Sequence, residues 1–250
     1  MMDRKLHSQI VPLADVTAAD ACSMYQIFAR HYDCVSIEQF TRDLEEKDCV
    51  LMLRNESGVI CGFSTQQILR VTVKGRPIRA VFSGDTIVDS NYWGAQELSH
   101  CWCRYVSEVY CDEPDVPLYW FLISKGYRTY LYLPIFFEHF YPNFAGPNPP
   151  FEQQILDALA TRKVPDYYRR ESGLIVFPHS QGQLKPHLAE IPARRRRDPH
   201  VQYFLHRNPQ YANGHELACL AEISPTNMKL FAGRIMQSAQ PAQQWSAGAD

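Results

Sequence analysis

Asp85 is the first residue of this chain that invites a chemical reading. It sits within Ala80-Val81-Phe82-Ser83-Gly84-Asp85-Thr86-Ile87-Val88, a run of strand-forming residues. A carboxylate there is costly unless it is paired, hydrogen-bonded or at work. Alternation sets Ser83 and Asp85 on one face and Phe82, Gly84 and Thr86 on the other, provided that no bulge falls at Gly84. Asp85 then either serves a backbone turn or handles a proton. His139, in Phe137-Glu138-His139-Phe140-Tyr141, is either a general base for an acceptor or a packing or surface histidine. His100, Cys101 and Cys103 lie close in sequence. On a helix, residues 100 and 101 diverge by about 100°, whereas metal ligands must converge. Helix packing is the reading for them, and no metal is expected. None of the eight cysteines carries a local signature of a nucleophile.

The elements that must position Asp85 lie around it, over residues 80–110. A strand ends at Val88, and Asp89-Ser90-Asn91 reads as a turn. From about Gly94 a helix follows, with Leu98, Cys101, Trp102, Tyr105, Val106 and Val109 at helical spacing. A helix start offers backbone N–H groups without intrahelical partners, and so a place for an anion.

The run Ile87-Val88-Asp89-Ser90-Asn91-Tyr92-Trp93-Gly94-Ala95-Gln96-Glu97-Leu98 resembles the signature of the GNAT N-acyltransferase superfamily. It is also similar to uncharacterised bacterial members that share the Ser83–Val88 and Tyr92-Trp93-Gly94 pieces. In that family a Val-Asp-Pro-like strand end leads into a glycine loop that binds the pyrophosphate of coenzyme A. Val88, Asp89 and Ser90 fall where the family has Val, Asp and Pro, and Gly94 falls on the first glycine. Trp93 stands where a basic residue is usual, and Gln96 where the second glycine is usual. The resemblance covers roughly residues 50–144.

The resemblance implies an α+β fold: three layers, with a mixed, mostly antiparallel sheet between helices. It implies a thioester co-substrate, acyl-CoA or a phosphopantetheine carrier, with no tightly bound cofactor. Backbone N–H groups of Thr86, Ile87 and Val88 would polarise its carbonyl, and Trp93, Gly94, Ala95, Gln96 and Glu97 would lie against its phosphates. Asp85, or water held by it, would take the amine proton. Ser124 falls near the reaction centre. A tyrosine of the 125–144 segment would protonate the leaving thiolate; Tyr127, Tyr130, Tyr132 and Tyr141 are available, with Tyr127 and Tyr141 placed among the site residues beside His139.

The composition is globular, with 46% hydrophobic and 21% charged residues and a net charge of −2. That balance argues against a general nucleic-acid binder. The 14 Tyr, 13 Phe and 4 Trp suit either a filled core or a broad apolar cleft for a longer acyl chain. No start-of-chain apolar run reads as a signal, and no run is long enough to span a membrane. Reduced, mostly buried cysteines and a cytoplasmic setting follow as expectations. Arg194, Arg195, Arg196 and Arg197 form the one dense charge run. It grips the 3′-phosphate of coenzyme A, docks an acidic acyl carrier protein, or is simply a solvated loop.

In chain order, residues 1–13 read as an extended lead-in. Helices start near Thr17 and at Ser36. Antiparallel strands cover 49–54, 59–69 and 78–88, and a buried strand covers 118–123. Pro134 should break or kink a helix in the aromatic stretch. The Pro-rich piece 143–150 divides residues 1–145, the cofactor-binding part, from 146–238, which would complete the same domain. A helix over 151–162, strands at 173–177 and 216–223, a helix at 226–236 and a flexible tail at 239–250 complete the reading. Function is read as transfer of an acyl group from a thioester to an amine. A non-catalytic binding protein on the same fold, or a thioester-using hydrolase or decarboxylase, are the rivals.

Overall fold

Near-continuous runs of apolar, strand-forming residues in the first half of the chain build long strands, and the turns between them are short. In the computed structural model, which describes residues 5–178, 182–230 and 232–234, the elements run as follows. β1 (Leu6–Pro12), α1 (Ala18–His31), β2 (Tyr32–Asp33), α2 (Ile37–Glu45), β3 (Cys49–Asn55), β4 (Ile60–Val73) and β5 (Arg76–Val88) come first. α3 (Glu97–Asp112), β6 (Leu118–Ser124), α4 (Tyr127–Tyr130), α5 (Tyr132–Phe136) and α6 (Pro150–Lys163) follow. β7 (Tyr168–Arg169), β8 (Leu174–Ile175), β9 (Gln183–Leu184), α7 (Pro186–Ala189), α8 (Pro199–Arg207) and β10 (Glu216–Glu222) close the chain.

The helix starts obey capping chemistry. Thr17 and Asp20 form a reciprocal capping box on α1, and Ser36 accepts from the Gln39 N–H on α2. Pro134 lies in the first turn of the five-residue α5, where its missing N–H is harmless. It does not so much break one helix as fall inside the second of two short ones.

One sheet has the order β1-β3-β4-β5-β6-β10-β8-β7. Every neighbouring pair is antiparallel except β5 and β6. That parallel pair needs a crossover, which α3 supplies. α3 covers one face together with α4, α5 and α8, around Val81, Trp120 and Leu122. α6 covers the other face over Phe82, Tyr119 and Phe121, and α1 and α2 cover it over Val50, Met52, Phe63 and Ile87. This is an α+β fold of three layers, α/β/α.

Three readings of the sequence change. The lead-in is an edge strand, β1, along β3. The apolar patch 202–205 belongs to a helix, α8, whose Val201 and Phe204 are buried. The helix expected from Thr226 gives way to a turn at 225–227 and a bridge at Met228, with helical residues at 230 and 232–234. The tail at 239–250 lies outside the described residues.

Candidate active site

β5 and β6 pair from Arg79↔Leu118 to Ser83↔Leu122. β5 then runs on to Val88, paired with β4 alone. The parallel pair therefore opens beyond Ser83. The Asp89 N–H reaches Cys61 O at 2.8 Å, so the amides of residues 87 and 89 turn to β4. Alternation turns those of Thr86 and Val88 into the gap. The Val88 carbonyl confirms the direction, because it accepts from Trp93 Nε1 at 2.8 Å rather than from β4. Two backbone donors thus face a gap with no strand to receive them.

A bulge sits at the opening. Ser64 pairs with Thr86 and Gln66 with Ser83, so three steps on β5 oppose two on β4. The alternation expected from the sequence is broken there: Ser83 and Thr86 share the α3 face, and Asp85 does not share that face with Ser83. The β carbon that Gly84 lacks would meet Thr65 Oγ1 at 2.6 Å and Lys47 Cε at 3.0 Å. A glycine is what allows the bulge to close against Thr65.

On the α3 face the gap leads into a cavity of about 40 Å³, room for roughly three waters. Ser83, Thr86, Trp102, Trp120, Thr129 and Tyr132 are among its lining residues. A hydrogen-bond chain holds one wall. Trp120 Nε1 donates to Ser83 Oγ at 2.9 Å, Ser83 Oγ to Gln66 Oε1 at 2.8 Å and Gln66 Nε2 to Ser64 Oγ at 2.7 Å. Ser64 and Thr86 hydroxyls lie 2.6 Å apart. Trp102 Nε1 is buried and has no partner among the described residues. The aromatic residues around the cavity mostly fill the core. Trp102 packs on Trp120 at 4.6 Å and stacks on Phe136 at 5.4 Å. Tyr132 stacks on Phe136 from the other end of the row, and burial raises its hydroxyl pKa above the usual phenol value.

On the opposite face Asp85 is half-buried among charges. Burial pushes its carboxyl up to about 6; Lys125 and Lys47 pull the other way, and Asp43 and Glu216 add to the rise. Lys125 is ion-paired with Glu216 at 3.0 Å. Burial also pushes the nearby Tyr32 hydroxyl up to about 12. Lys47 is 8% exposed, donates to the Asp43 carbonyl, and is held below the usual ammonium range by burial and by Lys163. A carboxylate poised near neutrality beside an open strand pair can take a proton.

The turn after β5 is pinned at its start. Asp89 accepts from Asn91 N at 3.0 Å and is ion-paired with Arg30 at 2.8 Å. Gly94 has φ +94 with open space around it, a left-handed conformation that glycine adopts freely. Ala95 N bonds Tyr92 O at 3.1 Å. Gln96 is the N-cap of α3 and no side chain caps that end. Glu97 opens α3, and its Oε2 is buried without a partner among the described residues. Trp93 is half-exposed, and the Arg128 guanidinium lies 5.3 Å from its ring centroid. A cation therefore stands over Trp93, contributed from α4 rather than from the loop.

The remaining expected residues scatter. Ser124 is buried and donates to Gly126 O at 2.9 Å, holding a turn. Tyr127 is buried in the core beneath Arg128. Tyr141 pairs its backbone with Leu220 beside Glu152 and Glu222, apart from the cavity lining. His139 is exposed, its backbone clasped by Asn227 at 2.8 and 2.9 Å. Neither His139 nor Tyr141 is among the residues that line the cavity. Of the tyrosines in this segment, Tyr132 lines the cavity. Arg194, Arg195, Arg196 and Arg197 are exposed; Arg196 Nε donates to Ile191 O. Spacing does not separate Tyr132 from the other tyrosines, and nothing in the sequence marks Arg128, since two short helices orient them. No helix among the described residues is long and apolar enough to cross a membrane.

No protein-family model matches the chain, and no curated protein does. Solved structures with a similar arrangement include a conserved protein of unknown function from Enterococcus faecalis V583, at 11% identity and TM-score 0.40, covering 51% of this chain and 31% of that one. A GNAT family N-acetyltransferase from Escherichia coli in complex with CoA matches at 17% identity and TM-score 0.37, covering 55% and 72%. A GCN5-related N-acetyltransferase from Kribbella flavida matches at 15% and 0.39, covering 54% and 34%. The chain thus spans about a third of the length of the first and third of these proteins.

Proposed function

We propose that this protein is a divergent GNAT-type N-acyltransferase that moves an acyl group from a coenzyme A thioester to an amine. The observation that carries the reading is the opening of the β5–β6 pair beyond Ser83. It presents the Thr86 and Val88 amides on its inner edge and Asp85 beside it.

In this reading the thioester arm lies in the gap, with its carbonyl oxygen on the Thr86 and Val88 amides. The amine attacks the carbonyl carbon and its proton passes to the Asp85 carboxylate. The carbon–sulfur bond breaks, and the thiolate takes the Tyr132 hydroxyl proton. Burial keeps Tyr132 protonated until then. A cavity of about 40 Å³ supports a short acyl group over a long one. The phosphates meet the Gly94 turn and Arg128, and Glu97 opposes them. The donor is free coenzyme A thioester; a carrier protein docked on Arg194, Arg195, Arg196 and Arg197 is the other source of the same arm. The reading sets the enzyme in the cytoplasm, with its eight free cysteines reduced.

The test is calorimetry with coenzyme A, acetyl-CoA, octanoyl-CoA and an acylated carrier protein, followed by a thiol-release assay over a panel of amines. Acetyl-CoA binding with amine-dependent thiol release supports the reading. Thiol release without an amine points to hydrolysis. Binding to none of the donors overturns it and leaves a non-catalytic protein on this fold.

A further inference from the structure

At the far end of α3 from the Gly94 turn lies a cleft that acyl transfer does not use. It measures about 530 Å³ and sits between the β4–β5 hairpin, the segment that follows α3, and α6. With 16 residues in α3, the two ends stand roughly 24 Å apart. The cleft has an apolar floor that includes Val71, Ile78 and Val116, and its charged residues are Arg70, Arg79, Arg162 and Glu113. Three guanidinium groups thus share one carboxylate.

Each arginine is held differently. Arg79 is 2% exposed. Its Nη1 donates to Val109 O at 2.9 Å and its Nη2 to Glu113 O at 2.6 Å, satisfying carbonyls at the end of α3. Its Nε–H is buried and has no partner among the described residues. Arg70 is ion-paired with both oxygens of Glu113, so that carboxylate is already engaged. Arg162 is exposed and has no partner among the described residues. Guanidinium groups gathered in one cleft repel, and a dianion bound between them relieves that repulsion.

We propose that this cleft binds a small organic dianion, with Arg162 and Arg70 at its rim, Arg79 at its base and the ligand's apolar body on the floor. A phosphate monoester and a dicarboxylate offer the same charge, and the probes separate them. The proposal stands apart from the acyltransferase reading, because no residue is shared.

The experiment is calorimetry of the full chain with phenyl phosphate, succinate and benzoate at low salt. Arginine Nε–H resonances are followed by NMR in the same titrations. Saturable binding of phenyl phosphate or succinate, at least tenfold tighter than benzoate, is expected. So are weakening with added salt and a shift of the Arg79 Nε–H signal. Preference between the two probes names the class. Arg162→Gln should weaken the dianion about tenfold, the worth of one charge-assisted hydrogen bond, with the thermal midpoint unchanged. Dianions binding no tighter than benzoate, or equally well to Arg162→Gln, would overturn the proposal.

Discussion

Replacing Asp85 by Asn separates a working carboxylate from a structural one, because the two make opposite predictions for stability. In the fold the Asp85 carboxyl titrates near 6, against 3.8 for an ordinary aspartate, chiefly through burial. The folded protein therefore holds this proton more tightly than the unfolded chain, and ionising Asp85 destabilises the fold. The cost is absent below about pH 3.8, grows between 3.8 and 6, and is fully present above 6. The difference between the two values corresponds to roughly 3 kcal/mol. Partial exposure of the side chain screens it, so a gain of roughly 1–2 kcal/mol is the expected range. Asp85→Asn keeps the shape and removes the charge. Urea unfolding should find the variant more stable than the parent at pH 7.5 and equal to it near pH 4. Acyl transfer should meanwhile fall by about 10²–10⁴ in kcat, the usual worth of a positioned general base. In the parent, kcat/KM should rise as pH passes through about 6. A variant less stable than the parent at pH 7.5 would refute the reasoning, since Asp85 would then be a structural hydrogen-bond partner.

Tyr132→Phe should lower kcat about 10²-fold with little change in KM, while Tyr141→Phe and His139→Ala stay within about twofold; steady-state thiol release measures all three. Gly84→Ala should lose about 1–3 kcal/mol in urea unfolding, because its new methyl group meets Thr65 Oγ1 at 2.6 Å and Lys47 Cε at 3.0 Å. Arg128→Ala should weaken coenzyme A about five- to tenfold and flatten the salt dependence of binding, yet leave pantetheine, which lacks the pyrophosphate, unaffected; calorimetry at two ionic strengths reads both effects.

Residue order alone determined much of this protein. The strand-forming runs 49–54 and 78–88, the Thr17 and Ser36 caps, and the Asp89-Ser90-Asn91 turn before Gly94 made the strands, helices and β5–α3 junction legible, because these are local preferences of a few neighbouring residues. Asp85 stood out because a carboxylate in an apolar strand needs a reason. The tertiary structure decided the rest. The bulge opposite Ser64 and Gln66 moved Asp85 off the face of Ser83, and a bulge depends on how two strands register, which neither strand states by itself. That Tyr132 lines the cavity while Tyr127 and Tyr141 do not followed from how α4 and α5 pack on α3. Spacing carries no such information across a chain that turns at residue 131 and again after 136. Arg128 over Trp93, and Arg79 beneath the end of α3, join residues 35 and 30–37 positions apart. Such pairs are set by the closing of the sheet, which only the assembled core enforces.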